Sequence, residues 1–251
     1  MRVSIVTAVL NGADAIARTM DSVASQDYPS IEHIVIDGAS RDATLETVRR
    51  HGRRVAVVQS GCDGGVYEAF NKGLRAASGE VIAFLNAGDT YVHAGAVSRL
   101  MREFEDPNVG AAFADLDITD PVQPERVLRR YRSDGFAPRR LAAGFMPAHP
   151  TLFMRREAYA RAGRYDESFR IAGDYELCLR VFARQHTPFR HVNEVLVRMP
   201  SGGMSNRGLA SALTITREMH RACLQNGIET SWLKLLLRLP VKSLSRFMRG
   251  G

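Results

Sequence analysis

Val81-Ile82-Ala83-Phe84-Leu85-Asn86-Ala87-Gly88-Asp89 begins as an unbroken apolar run and ends in small and polar residues, with Asp89 its only full charge. The run from Val81 to Leu85 predicts a buried strand. In a parallel α/β sheet, ligands collect just beyond the carboxyl ends of the strands. A carboxylate placed there, on a tight glycine-containing turn, suits a divalent cation clamped to a diphosphate. The structural alternative is a helix-capping role for Asp89. Three further strand ends with similar polar clusters favour the first reading.

Working outward, short apolar strands are expected at Val3–Val9, His33–Ile36 and Val55–Val58. They alternate with helical periodicity over Ala13–Ser25, over Asp42–Arg50 (capped by Asp42 or Ser40), and from Gly64-Gly65 to Ala77. This alternation predicts an α/β fold with a doubly wound, mainly parallel sheet and right-handed crossovers. The pattern then changes. Helices are expected at Ala94–Phe104, Arg156–Arg161, Asp174–Arg184 and Leu209–Cys223, and strands at Gly110–Asp115, Thr151–Met154 and His191–Arg198. Asp117–Tyr131 has strand-like character, and Phe136–Met146 reads as irregular. The expected organisation is one compact domain over 1–227, with a nucleotide-binding half to about 115 and an acceptor half over 116–227. A basic amphipathic tail follows at 228–251.

The chain has 251 residues, 45% of them hydrophobic, ample for one sizeable core. Its net charge of +7 favours anionic partners. The tail carries Lys234, Arg238, Lys242, Arg246 and Arg249 against the single acid Glu229. There Trp232, Leu233, Leu235, Leu236, Leu237 and Leu239, and after Pro240 also Val241, Leu244, Phe247 and Met248, are interleaved with those cations. The pattern fits a segment lying on an anionic membrane surface, or a helix packed on the body or on a second subunit. Cys62, Cys178 and Cys223 are scattered and odd in number, which predicts a reduced, cytosolic chain without a disulfide framework or a cysteine zinc site. No signal-peptide pattern precedes Val3, and no apolar run approaches the ~20 residues of a spanning helix.

Four strand ends carry the chemistry. The first supplies Thr7, Ala8 and Asn11; the second Asp37-Gly38-Ala39-Ser40-Arg41-Asp42; the third Asp63-Gly64-Gly65, with Tyr67, Asn71 and Lys72 along the next helix; the fourth Asn86 to Asp89. Side by side they would line one crevice. Asp37 and Asp63 can accept hydrogen bonds from a base N–H and from ribose hydroxyls, and Asp89 can hold a metal on the diphosphate. Each motif alone is weak, but their order and spacing together are specific.

On these residues the chain resembles the family 2 glycosyltransferases, inverting enzymes of the GT-A fold, and within them the small bacterial enzymes that build exopolysaccharide, O-antigen or colanic-acid-type repeat units. The matching stretches are SIVTAVLNG, IDGASRDAT, DGGVYEAFNKGLRAASGEVIAFLNAGD, HPTLFMRREAY and AGDYELCLR, followed by GGMS at Gly202 to Ser205; the resemblance covers residues 2–206. It implies a nucleotide-diphosphate sugar donor, with UDP as the default base and GDP or dTDP as alternatives, and Mn²⁺ or Mg²⁺ as cofactor. It implies a glycan or lipid-linked acceptor at the cytoplasmic membrane face. It places the base-binding aspartate at Asp37, a nucleotide-contacting aspartate at Asp63, and the acidic metal motif at Asn86-Ala87-Gly88-Asp89, where this chain keeps one carboxylate of the usual DxD pattern. The general base implied by the resemblance falls on Asp174, at the start of an amphipathic helix; an Asp there also suits a helix cap.

Glu176 is a second candidate on that helix, and His149, ahead of the strand bordering the acceptor side, is another. A lone His is more often structural, and His186 and His191 lack the companions of a zinc site. Gly202-Gly203 reads as a loop over the donor, with Arg198 and Arg207 as phosphate contacts or as solvated surface. A QxxRW-type element and spanning helices are absent, which predicts single addition rather than processive synthesis. Three other enzyme classes are disfavoured. The first strand is followed by no basic glycine-rich loop of a sugar-phosphate nucleotidyltransferase, no GxGxxG and no GxxxxGK[ST]. A catalytically silent scaffold of this fold, docking through its basic tail, is the non-enzyme alternative. Nucleic acid is not an expected partner.

Overall fold

A computed structural model describes residues 1–203 and 209–236. Its first half follows the expected alternation: β1 (Val3–Val9), α1 (Ala13–Ala24), β2 (Ile31–Asp37), α2 (Thr44–His51), β3 (Val55–Ser60), α3 (Val66–Ala76) and β4 (Val81–Phe84). Next come β5 (Thr90–Tyr91), α4 (Ala96–Met101), β6 (Ala111–Thr119), β7 (Val127–Tyr131), β8 (Phe153–Arg155), α5 (Arg156–Ala162), α6 (Gly173–Cys178), β9 (Phe189–Pro200), α7 (Leu209–Gln225) and α8 (Trp232–Leu236). All strands join one sheet in the order β3-β2-β1-β4-β8-β6-β9-β5, with β7 paired on β6. The pairings β3–β2–β1–β4 are parallel, as the helix between each pair of strands requires. Beyond β4 the sheet is mixed: β8 is antiparallel to β4 and β6, whereas β9 runs parallel to β6.

The sheet is buried on both faces. Phe70, Phe84, Tyr159, Tyr165 and Phe182 pack on one side, with α3, α5, α6 and α7. Val97, Leu100 and Phe104 pack on the other beneath α4, and Ile16, Met20 and Val48 beneath α1 and α2. The close seat of α3 on β1 depends on Gly73, where a Cβ would stand 2.2 Å from Val6 Cγ1.

Three expectations are refined. The helix over Ala94–Phe104 is α4 followed by a 3₁₀ turn at Arg102–Glu105. The strand expected over Gly110–Asp115 continues to Thr119, because β9 pairs along it to the end. The helix expected over Asp174–Arg184 is α-helical only to Cys178 and widens into a π-helical turn over Leu179–Arg184. There the Arg180 guanidinium reaches back to Glu176 and to the carbonyls of Ala162 and Arg164. In the tail, α8 buries Leu235 and exposes Trp232, Leu233 and Leu236. The later tail residues, from Leu237 through Arg249, lie outside the described residues, as do Met204, Ser205 and Arg207. Among the described residues no helix is long and apolar enough to cross a membrane.

Candidate active site

The carboxyl ends of β1 to β4 come together at one rim of the sheet. Asn11, just past β1, has φ 48°, and Ala39, just past β2, has φ 63°; both are uncommon for non-glycine residues. They are held by reciprocal bonds: the Asn11 N–H donates to Ser40 Oγ at 2.8 Å, and the Arg41 N–H donates to Asn11 Oδ1 at 2.9 Å. Strained loops tied in this way are typical of ligand sites. Asp37, at the end of β2, is fully buried; its carboxylate accepts from Ser60 Oγ at 2.6 Å and from the Ser40 N–H at 3.1 Å. The Asp63 carboxylate leans over Gly38, where a Cβ would be 3.1 Å from Asp63 Oδ2. Asp37, Asp63 and Asn11 are therefore neighbours at this rim, but none of them lines the cavity described below. Gly64 and Lys72 are in local contacts: the Gly64 N–H donates to Glu68 Oε2 at 2.6 Å, and Lys72 Nζ donates to the Cys62 carbonyl at 2.8 Å.

Ala8 meets the β4 end, its carbonyl accepting from the Ala87 N–H at 3.3 Å. The turn from Asn86 to Asp89 leads into β5 and not into a helix, so Asp89 caps nothing. Gly88 supplies φ 102°, a value that favours glycine. Thr19 of α1 clasps this turn, accepting from the Gly88 N–H at 2.9 Å and donating to the Asp89 carbonyl at 2.8 Å.

A cavity of about 350 Å³ opens beside the turn. Asn86, Ala87, Gly88 and Asp89 line it together with Tyr67, His149 and Asp174. Burial pushes the Asp89 carboxyl up to about 8, and the Asn86 N–H offsets only part of this. A carboxylate so placed is ionised at neutral pH only with a cation beside it. Asn86 Oδ1 is buried and has no hydrogen-bond partner. Among the described residues no three His, Cys, Asp or Glu side chains cluster as a metal cage. One carboxylate and one amide oxygen still fit Mg²⁺ or Mn²⁺, whose other positions would be filled by phosphate oxygens and water.

Asp174 sits in the first turn of α6, whose N-cap is Ala172. Its Oδ1 accepts from the Tyr175 N–H at 2.8 Å and lies 3.5 Å from the Tyr67 hydroxyl. Burial raises its carboxyl above the usual range, and the Tyr175 N–H offsets only part of this. His149 stacks on Phe70 and Phe84 at 5.6 and 5.9 Å between ring centroids, and its Nε2 is 3.0 Å from the Tyr165 hydroxyl. Burial lowers its pKa, so the ring is neutral.

Two sequence candidates point elsewhere. Thr7 is fully buried and its Oγ1 pairs with His33 Nε2 at 2.9 Å, because alternation along β1 turns it into the interior. Glu176 is buried against Arg180 (2.6 Å) and accepts from Asn226 Nδ2 at 3.1 Å, away from the cavity. His191 pairs with Asp115 at 2.9 Å, and Arg198 with Glu125 at 2.8 Å. Sequence reasoning missed Arg18 and Thr19. Both follow from how α1 crosses the β4 turn, which no local motif records.

A family model described as glycosyl transferase family 2 matches residues 4–163. The chain belongs to glycosyl transferase family 2. A PGL/p-HBAD biosynthesis glycosyltransferase of Mycobacterium bovis is 28% identical over 211 residues, covering 81% of this chain and 78% of its own. Staphylococcus aureus TarS 1–349, crystallised with UDP-GlcNAc, superposes with TM-score 0.70 at 15% identity, over 91% of this chain and 68% of that one. The mannosyltransferase PcManGT of Pyrobaculum calidifontis, in complex with GDP-Man and Mn²⁺, gives TM-score 0.62 at 19% identity over 97% and 80%. This family 2 glycosyltransferase thus has the GT-A fold expected from its sequence. Its activity is that of a glycosyltransferase.

Proposed function

We propose that the protein carries out inverting, non-processive transfer of a sugar from a nucleotide-diphosphate sugar to a glycan or lipid-linked acceptor in cell-surface polysaccharide biosynthesis. The observation that carries this reading is one cavity lined by both Asp89 and Asp174. An inverting displacement needs a proton acceptor on the side opposite the departing diphosphate. Asp174 takes the acceptor hydroxyl's proton; its raised pKa makes it a stronger base than an exposed carboxylate, and the Tyr175 N–H, 2.8 Å from its Oδ1, orients it. Asp37, Asp63 and Asn11 bind the base and ribose, and His149 borders the acceptor. Asp89 and Asn86 would hold a divalent cation, which when bound neutralises charge on the leaving diphosphate.

UDP is the default base, supported by the UDP-GlcNAc complex of TarS, while the GDP-Man complex of PcManGT keeps GDP as an alternative. We assign donor binding to the half before residue 116 and acceptor binding to the half after it. We place the enzyme at the cytoplasmic membrane face, docked through the tail from residue 228, where exposed Trp232, Leu233 and Leu236 flank Lys234. Deleting 228–251 then reduces sedimentation with anionic liposomes; undiminished binding refutes the docking. The test of the activity is UDP release from UDP-sugars by purified protein with Mn²⁺ and lipid-extract acceptor. Release that survives intact in Asp174→Asn refutes the assigned base.

A further inference from the structure

We propose that Arg18, on α1, is the guanidinium that receives the donor's diphosphate; this rests on the donor reading above. The cavity's described lining contains two carboxylates, Asp89 and Asp174, and a single Lys or Arg, which is Arg18. A nucleoside diphosphate adds at least two further negative charges to that lining, so a fixed cation is needed where it lies. Lys72, the cation expected from the sequence, is engaged at 2.8 Å with the Cys62 carbonyl and at 3.1 Å with Glu68.

The placement of Arg18 follows from the clasp of α1 on the β4 turn. Ala15 stands over Gly88, its Cβ 3.9 Å from where a Gly88 Cβ would be. Thr19 bonds the same turn at Gly88 and Asp89. Arg18 lies three residues after Ala15, on the same helical face, and so extends along the turn into the cavity. It forms no hydrogen bond or ion pair with another described residue. A guanidinium beside a glycine turn and without a partner among the described residues presents a planar fork of donors, which matches paired phosphate oxygens better than an ammonium does. Arg18 binds the diphosphate whether or not a divalent cation is present, and it compensates in part for the carboxylate that Asn86 replaces.

Calorimetric titration of UDP, GDP and dTDP, in EDTA and again in Mn²⁺, tests this on wild type, Arg18→Ala and Arg18→Lys. The diphosphate that binds wild type is expected to bind Arg18→Ala about 10-fold more weakly in EDTA. Arg18→Lys recovers part of the loss, and the matching nucleoside binds all three proteins equally. Equal diphosphate affinity in wild type and Arg18→Ala overturns the role of Arg18 and leaves the donor reading standing. An equal loss of nucleoside affinity also overturns it, since the residue would then shape the site as a whole. Failure of wild type to bind any of the three under either condition overturns the donor reading, and this assignment with it.

Discussion

Asp174 and His33 are both buried ionisable groups, and burial acts on them in opposite directions. For Asp174 it raises the proton affinity of a group at the cavity wall. Asp174→Asn keeps the shape and the Tyr175 N–H contact but removes the base. Turnover should fall by about 10²–10⁴-fold with donor affinity unchanged, measured by sugar transfer and nucleotide titration. His33, bonded to Thr7 in the interior, is held down at about 4. The native state therefore binds its proton later than the unfolded chain, whose histidine titrates near 6.5. The stability His33 contributes is complete above about 6.5 and is lost as the pH falls toward 4. Wild type should lose roughly 3 kcal/mol relative to His33→Gln across that interval, read from denaturant melts at each pH.

Among the elements, the seat of α3 on β1 gives the sharpest test. A methyl at position 73 would meet Val6 at 2.2 Å. Gly73→Ala should cost about 1–3 kcal/mol and tilt Tyr67 away from Asp174, lowering both the melting temperature and turnover. The strand ends were readable because apolar runs stop at Asn11, Asp37 and Asn86, and a period of two or of 3.6 places such breaks without tertiary knowledge. The inward turn of Thr7 was also implicit in that period. The Glu176–Arg180 contact is an i,i+4 pair visible in the sequence, so the retreat of Glu176 from the cavity was legible too. Arg18 was not, since its place depends on where α1 crosses another loop. Nor was the π-helical turn at Leu179–Arg184, which is stabilised by carbonyls of residues 162 and 164, well upstream.

Across the whole molecule, the described strands before and after residue 116 share one sheet. A ligand that binds only the native state raises its stability by about 2.7 kcal/mol at 100 times its dissociation constant. UDP with Mn²⁺ at that excess should therefore shift the single melting transition of the whole chain upward by several degrees. Asp89→Ala should remove the part of that shift that depends on Mn²⁺, as followed by differential scanning fluorimetry. The sheet runs unbroken from β3 through β6 to β5. The described strands are thus cast as one piece. A movement that admits a sugar therefore costs less in the segments along the rim than in the casting itself.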